Sequence, residues 1–171
     1  PTTISSNNLK STLLQNGIEP RRVINQSCPE LANQISNDPD GIIVEDRIRN
    51  WVKKAIHKLE AGNRRESLFV FLGCTHYGYH EKLFYKSFLK EGFSHVKILN
   101  PNLSAAKHLY KKIMQDEILN KNRSTDFSIE FVSPYEIPEK EILTISQLLD
   151  PISTETAMAF KNARTFPKLL D

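Results

Sequence analysis

Cysteine is scarce in this 171-residue chain, and long apolar runs are absent from it. Its two cysteines, Cys28 and Cys74, are too few for a disulfide scaffold, so a reducing, cytoplasmic setting is the default expectation. No stretch approaches the roughly 18 consecutive apolar residues that a membrane span requires. No charged-then-apolar leader opens the sequence either. Internal repeats and low-complexity tracts are missing, and so is a dense basic stripe. The net charge is +3, and the excess cations (Lys107, Lys111, Lys112, Lys121 and Arg123) are interleaved with acids. That pattern fits a solvated helix face and argues against nucleic acid as a partner. A mild positive field does suit small anionic substrates.

What remains is an ordinary globular composition, 39% hydrophobic and 25% charged, long enough for one domain with a real core. Leu9, Leu13 and Leu14 place a helix over 5–15, stopped by Asn16-Gly17. Val23 to Asn25 reads as a short strand, and Cys28-Pro29 opens a short helix with proline in its first turn. After the turn at 37–41, Val44, Ile48, Trp51, Val52, Ala55, Ile56 and Leu59 form a helical stripe ending near Gly62. Strands are expected at 67–72, 96–99 and 127–132, and helices at 80–92, 103–119, 139–149 and 153–163. This alternation predicts a parallel, three-layer α/β fold.

The most informative stretch is Phe69-Val70-Phe71-Leu72-Gly73-Cys74-Thr75-His76-Tyr77. An apolar run with the character of a buried parallel strand ends in glycine, followed at once by a thiol, a hydroxyl and an imidazole. Cys74 is thereby expected at the carboxyl end of a strand, just before the N-terminus of the helix over 80–92. Open α/β sheets bind ligands in that crevice, and a helix N-terminus favours a thiolate there. An unperturbed thiol titrates at about 8.5, so a small push makes it a useful base near neutrality. Thr75 and the neighbouring backbone N–H groups suit an anion such as a carboxylate, and His76 suits proton transfer. Thr75 also has a purely structural reading as a helix N-cap. Metal binding is disfavoured, because Cys74, His76 and His80 make three candidate ligands where a structural zinc wants four. A Cys–His hydrolase is disfavoured too, since near neighbours in a turn seldom align as a dyad. Cys28 reads as a cap or core residue, Tyr77 and Tyr79 as packing residues, and His80 as a polar helix position.

Leu72-Gly73-Cys74-Thr75-His76-Tyr77 resembles the second catalytic-cysteine motif of cofactor-independent glutamate racemases, in the aspartate/glutamate racemase family. Further blocks extend the resemblance over roughly 1–149. Pro1-Thr2-Thr3-Ile4-Ser5-Ser6 is similar to that family's threonine-rich domain crossover. Gln26-Ser27-Cys28-Pro29-Glu30-Leu31 is similar to its Cys-Pro segment. Ile98-Leu99-Asn100-Pro101 and Phe131-Val132-Ser133 are similar to later strand ends. The resemblance implies flavodoxin-like halves with the active site between them. Two thiols there face the substrate α-carbon from opposite sides, one removing the α-proton and the other returning one, without a cofactor or a metal. On that basis Cys74 is one acid/base thiol, His76 assists it, Thr75 binds the α-carboxylate, and Thr3 contacts the substrate from the crossover. The implied pathway is D-glutamate supply for bacterial peptidoglycan, with glutamate preferred over aspartate.

The chain departs from the family in several places. No segment matches the family's other catalytic cysteine, and Cys28 aligns with a non-catalytic block. Ser36 and Asn37 stand where a glutamate is common, and Gly78-Tyr79 replaces a proline-leucine pair. The expectation is therefore half of a racemase active site. A racemase-like domain covers 1–99, and residues 100–171 hold the C-terminal elements of a second, incomplete domain. That half would be completed by a missing N-terminal portion or by homo-oligomerisation. Two alternatives are a non-catalytic racemase-like binding domain and a related decarboxylase that needs a single cysteine.

Overall fold

The computed structural model of the chain describes residues 8–59, 67–115 and 128–169. It is a mixed α/β structure, with seven α-helices and four short strands among the described residues. They divide into two units. The first takes the described residues up to Ile35 and from Asp40 to Ala105, and the second takes Ser36–Pro39 and those from Ala106 onward.

In the first unit, α1 (Asn8–Gln15) ends where Asn16-Gly17 predicts. Gly17, at φ 84, donates to the Leu14 carbonyl, and Ile18 donates to that of Leu13. Helix α2 (Leu31–Asn37), whose last two residues are grouped with the second unit, and helix α3 (Ile42–Ile56) follow. Strand β1 (Leu68–Phe71) then leads through a 3-10 segment (Thr75–His80) into α4 (Glu81–Lys90) and β2 (Val96–Leu99). The two strands pair in parallel, Leu68 opposite Val96 and Phe71 opposite Leu99, so the segment is a βαβ crossover. The sharp return from α4 to β2 is built by Gly92, whose φ of 89 suits glycine. Its N–H reaches the Leu89 carbonyl at 3.0 Å, and Phe93 N–H reaches that of Phe88 at 3.2 Å. The Phe88 and Phe93 rings meet edge-on at 6.3 Å, completing a Schellman cap with its apolar contact.

The core of this unit is one cluster. Leu31 and Ile35 of α2 meet Val44, Ile48 and Val52 of α3, Phe84 and Phe88 of α4, Leu72 and Phe93. The spacing 44, 48, 52 is one helix face, and only that face is buried. Leu68, Val70, Val96 and Ile98 pack against the cluster from the sheet. The opposite side of the sheet is open: Phe69 is 60% exposed and Phe71 46%. The pattern over 67–72 predicts a buried strand, and the strand is covered on one face.

Helix α5 (Pro101–Gln115) begins in the first unit. The second unit contains β3 (Val132–Ser133), α6 (Glu139–Leu149), α7 (Thr154–Lys161) and β4 (Arg164–Thr165). Strands β3 and β4 pair in parallel, Val132 with Arg164 and Ser133 with Thr165. Ile145, Ala157 and Phe160 are buried, with Phe131 standing edge-on to Phe160 at 4.9 Å. Ser153 caps α7, its Oγ accepting the Thr156 N–H at 3.2 Å.

Three elements differ from the sequence pattern. Val23–Asn25 is extended at Val23 (φ −115, ψ 106) but has no strand beside it among the described residues, so it is not part of a ladder there. The strand expected over 127–132 is reduced to Val132–Ser133, the length its partner β4 can pair; Phe127 lies outside the described residues. The helix after Cys74 starts at Glu81, with the 3-10 segment interposed. No helix among the described residues is long and apolar enough to cross a membrane.

Candidate active site

Cys74 sits beyond the carboxyl end of β1. The ladder continues one residue past the strand, through Leu72 N–H to the Leu99 carbonyl at 3.0 Å. Leu72 is buried and anchors the chain in the core, after which Gly73 and Cys74 leave the sheet in an extended conformation (φ −139, ψ 138 at Cys74). The Tyr77 N–H donates to the Cys74 carbonyl at 3.1 Å and closes the first turn of the 3-10 segment.

That turn brings two of the sequence-identified residues together. Cys74 Sγ lies 3.7 Å from His76 Nδ1, both side chains being half-buried. Near neighbours in a turn seldom align as a dyad, but here Cys74, extended at the cap position, and His76, in the first 3-10 turn, come within reach of each other. A thiol beside an imidazole nitrogen can pass its proton across and leave a thiolate. The His76 ring also stands edge-on to Tyr79, with centroids 6.5 Å apart. Burial pushes the Tyr79 hydroxyl above its ordinary pKa, keeping it protonated and able to donate.

Thr75 is exposed and opens the 3-10 segment without capping it; the cap position belongs to Cys74, whose side chain makes no capping bond. The N-cap reading of Thr75 is therefore corrected: α4 starts later, and its cap position is His80, also without a side-chain cap bond. The N-terminus of α4 lies beyond the 3-10 segment from Cys74. A helix dipole acts within its first turn, so α4 does not act on Cys74 as the sequence pattern predicts. Thr3 lies outside the described residues.

Cys28 has a different character. It packs against the hydrophobic cluster, with Sγ 3.8 Å from the Gln26 carbonyl. Burial pushes its thiol up to about 11, Lys58 opposing and the charge of Cys74 adding to the rise. Such a thiol is a poor base near neutrality. Tyr77, read from sequence as packing, does rest against Phe84 at 5.8 Å between centroids. Its hydroxyl also donates to the Cys28 carbonyl at 3.1 Å, linking the Cys-Pro turn to the Cys-Thr-His turn. Burial, then the charges of Cys28 and Cys74, raise the Tyr77 hydroxyl far above its usual range, so it remains a donor.

His80 is half-buried, and its Nε2 has no hydrogen-bond partner among the described residues. Burial lowers its pKa, with Asp40 acting in the opposite sense, which favours a neutral ring. No group of three His, Cys, Asp or Glu side chains among the described residues is placed to hold a metal ion. Sequence patterns did not reveal the Cys28 carbonyl or Asp40 as neighbours of this region. Both act across long stretches of chain, where no local periodicity marks them.

Comparison with known proteins finds no matching family model, no similar curated protein and no similar solved structure.

Proposed function

We propose that the chain carries one half of the active site of a cofactor-independent amino-acid racemase, acting on glutamate in preference to aspartate. The observation that carries this reading is the 3.7 Å contact between Cys74 Sγ and His76 Nδ1 in the loop after β1. The loop lies at the carboxyl end of a parallel strand pair, where open α/β sheets place their ligands. The finer architecture belongs to the proposal as well: a three-layer, flavodoxin-like domain whose sheet continues beyond β1 and β2. The open side of that pair, with Phe69 and Phe71 exposed, supports a further layer, because parallel sheets are normally covered on both faces.

In this mechanism Cys74, deprotonated toward His76, takes the α-proton of the amino acid. A second thiol, from a partner chain or an additional segment, delivers a proton to the opposite face. Exposed Thr75 meets the α-carboxylate, and Thr3 joins it from the crossover. No metal or cofactor takes part. A second reading is favoured by the state of Cys28. With that thiol packed against the core, Cys74 is the one thiol among the described residues beside an imidazole. A single-thiol decarboxylase needs no more. The C–C bond of a disubstituted malonate breaks, carbon dioxide leaves, and the carbanion takes its proton from Cys74. A racemase-like domain kept for binding alone is the remaining option.

The test is α-proton exchange. The natural gene product is incubated in deuterated buffer with D- and L-glutamate, then D- and L-aspartate, and the α-proton is followed by NMR. Exchange that disappears in Cys74→Ser supports the racemase. Absence of exchange with all four amino acids rejects racemisation of those substrates, and disubstituted malonates are then assayed for release of carbon dioxide.

A further inference from the structure

The turn that joins Cys74 to His76 is held from outside by two asparagines, Asn100 just after β2 and Asn102 in the first turn of α5. Asn102 Nδ2 donates to the Thr75 carbonyl at 2.9 Å, fixing the one residue that separates the thiol from the imidazole. Asn102 is fixed in its turn. Its own N–H donates to Asn100 Oδ1 at 3.1 Å. Asn100 thereby serves as the N-cap of α5, with Pro101 in the first helical position. The other end of the Asn100 amide donates to Glu81 Oε2 at 3.0 Å and points at the Gly78 carbonyl at 3.5 Å. The amide orientations are forced, because a carbonyl and a carboxylate can only accept and a backbone N–H can only donate.

Gly78 completes the arrangement. A Cβ there would lie 2.7 Å from Asn102 Nδ2 and 2.9 Å from Asn100 Oδ1, closer than side-chain carbons approach polar atoms. The residue that departs from the resembled motif is thus the one that lets the asparagines reach the turn.

We propose that Asn102, braced by Asn100 and admitted by Gly78, is a positioning residue that sets the Cys74–His76 contact. The inference rests on the reading of Cys74 and His76 as the reacting pair, and its test is chosen to stand apart from turnover. Asn102→Asp keeps the shape of the side chain but removes its donor, so the bond to the Thr75 carbonyl is lost. An acid in the first turn of α5 favours the helix. A residue that only starts α5 would therefore tolerate or welcome this change, whereas a positioning residue would not. Asn102→Ala serves as the charge-free second variant.

Both are made with Cys28→Ala, so that Cys74 is the only thiol of these 171 residues. Three readouts are taken: the melting temperature, the rate of Cys74 alkylation by iodoacetamide at pH 7, and the side-chain 15N shifts of His76. We expect Asn102→Asp to melt slightly below its parent, because a carboxylate replaces the donor against the Thr75 carbonyl, while alkylation slows by about threefold to tenfold in both variants, the loss of one good hydrogen bond. The His76 Nδ1 resonance should move in both. Gly78→Ala should slow alkylation in the parent and do so much less when Asn102 is already alanine. Unchanged alkylation and unchanged His76 shifts in both Asn102 variants would overturn the proposal. Should those signals move while no amino acid shows α-proton exchange, the positioning role stands and the racemase reading falls.

Discussion

The Tyr77 hydroxyl donates to the Cys28 carbonyl at 3.1 Å across 49 positions of sequence. That carbonyl also accepts the Leu31 N–H at 3.3 Å, so removing the hydroxyl does not orphan it. Tyr77→Phe should therefore cost only about 0.5–1.5 kcal/mol, the net worth of one hydrogen bond. Tyr77→Ala also removes the ring packed on Phe84 and should cost about 3 kcal/mol or more. Urea unfolding of the three proteins checks this. Equal losses for Phe and Ala would mean that the ring contributes nothing.

The state of Cys28 gives stability a signature in alkali. Its thiol is raised from 9.0 to about 11 in the folded protein, chiefly by burial. Between those values the unfolded chain has released the proton and the folded chain retains it, so the unfolded state binds fewer protons. Stability from this group is complete below pH 9 and declines as pH rises toward 11, then levels off. Water reaching the half-buried group reduces the loss to about 1–2 kcal/mol over that interval. Cys28→Ala should unfold with a shallower pH dependence between 9 and 11. Parallel melting curves in that range test it, and identical slopes would reject the burial of this thiol.

Much of the fold is local and so was legible in the residues. Val96–Leu99 and Glu139–Leu149 were expected at those bounds, since each is a continuous pattern flanked by breakers. The failures have physical causes. Val23 adopts strand-like angles, but a strand exists only where a neighbour pairs with it. β4 consists of Arg164 and Thr165, both exposed, and no apolar pattern announces such a strand. The 3-10 segment from Thr75 to His80 is held by Tyr77 reaching the Cys74 carbonyl and by Asn102 reaching the Thr75 carbonyl. Asn102 lies 27 residues from Thr75, beyond any sequence window. Within the candidate site, Cys74 and His76 stood out because three chemically capable residues follow a strand. The contact between them depended on turn geometry that composition does not encode.

The one-sided burial of α3 makes a sharp stability contrast. Ile48 is fully buried in the cluster, whereas Ile42, in the first turn of the same helix, is 80% exposed. Ile48→Ala should destabilise by about 2–5 kcal/mol, through lost transfer energy and the cavity left behind. Ile42→Ala, which removes the same atoms, should stay within about 0.5 kcal/mol of the parent. Chemical denaturation measures both. Comparable losses would show that α3 turns a different face to the core.

The turn ahead of α2 carries a strained residue that can be relieved. Pro29 and Glu30 are the central pair of a turn closed by Leu31 N–H on the Cys28 carbonyl, and Glu30 has a φ of 64. Proline followed by a left-handed residue is the type II pattern, in which the second place belongs to glycine or asparagine. Holding an L side chain there costs about 1–2 kcal/mol. Glycine removes that cost but loses about 0.5–1 kcal/mol through the greater freedom of its unfolded chain. The weak bond from Asn33 to the Glu30 carboxylate, at 3.4 Å and exposed, changes the sum little. Glu30→Gly should therefore stabilise the protein, by about 0.5 kcal/mol. Glu30→Val, branched at Cβ and intolerant of positive φ, should destabilise it. Opposite shifts in melting temperature for the two variants are the expected result. A loss of stability in both would mean that Glu30 is held by contacts worth more than its backbone strain.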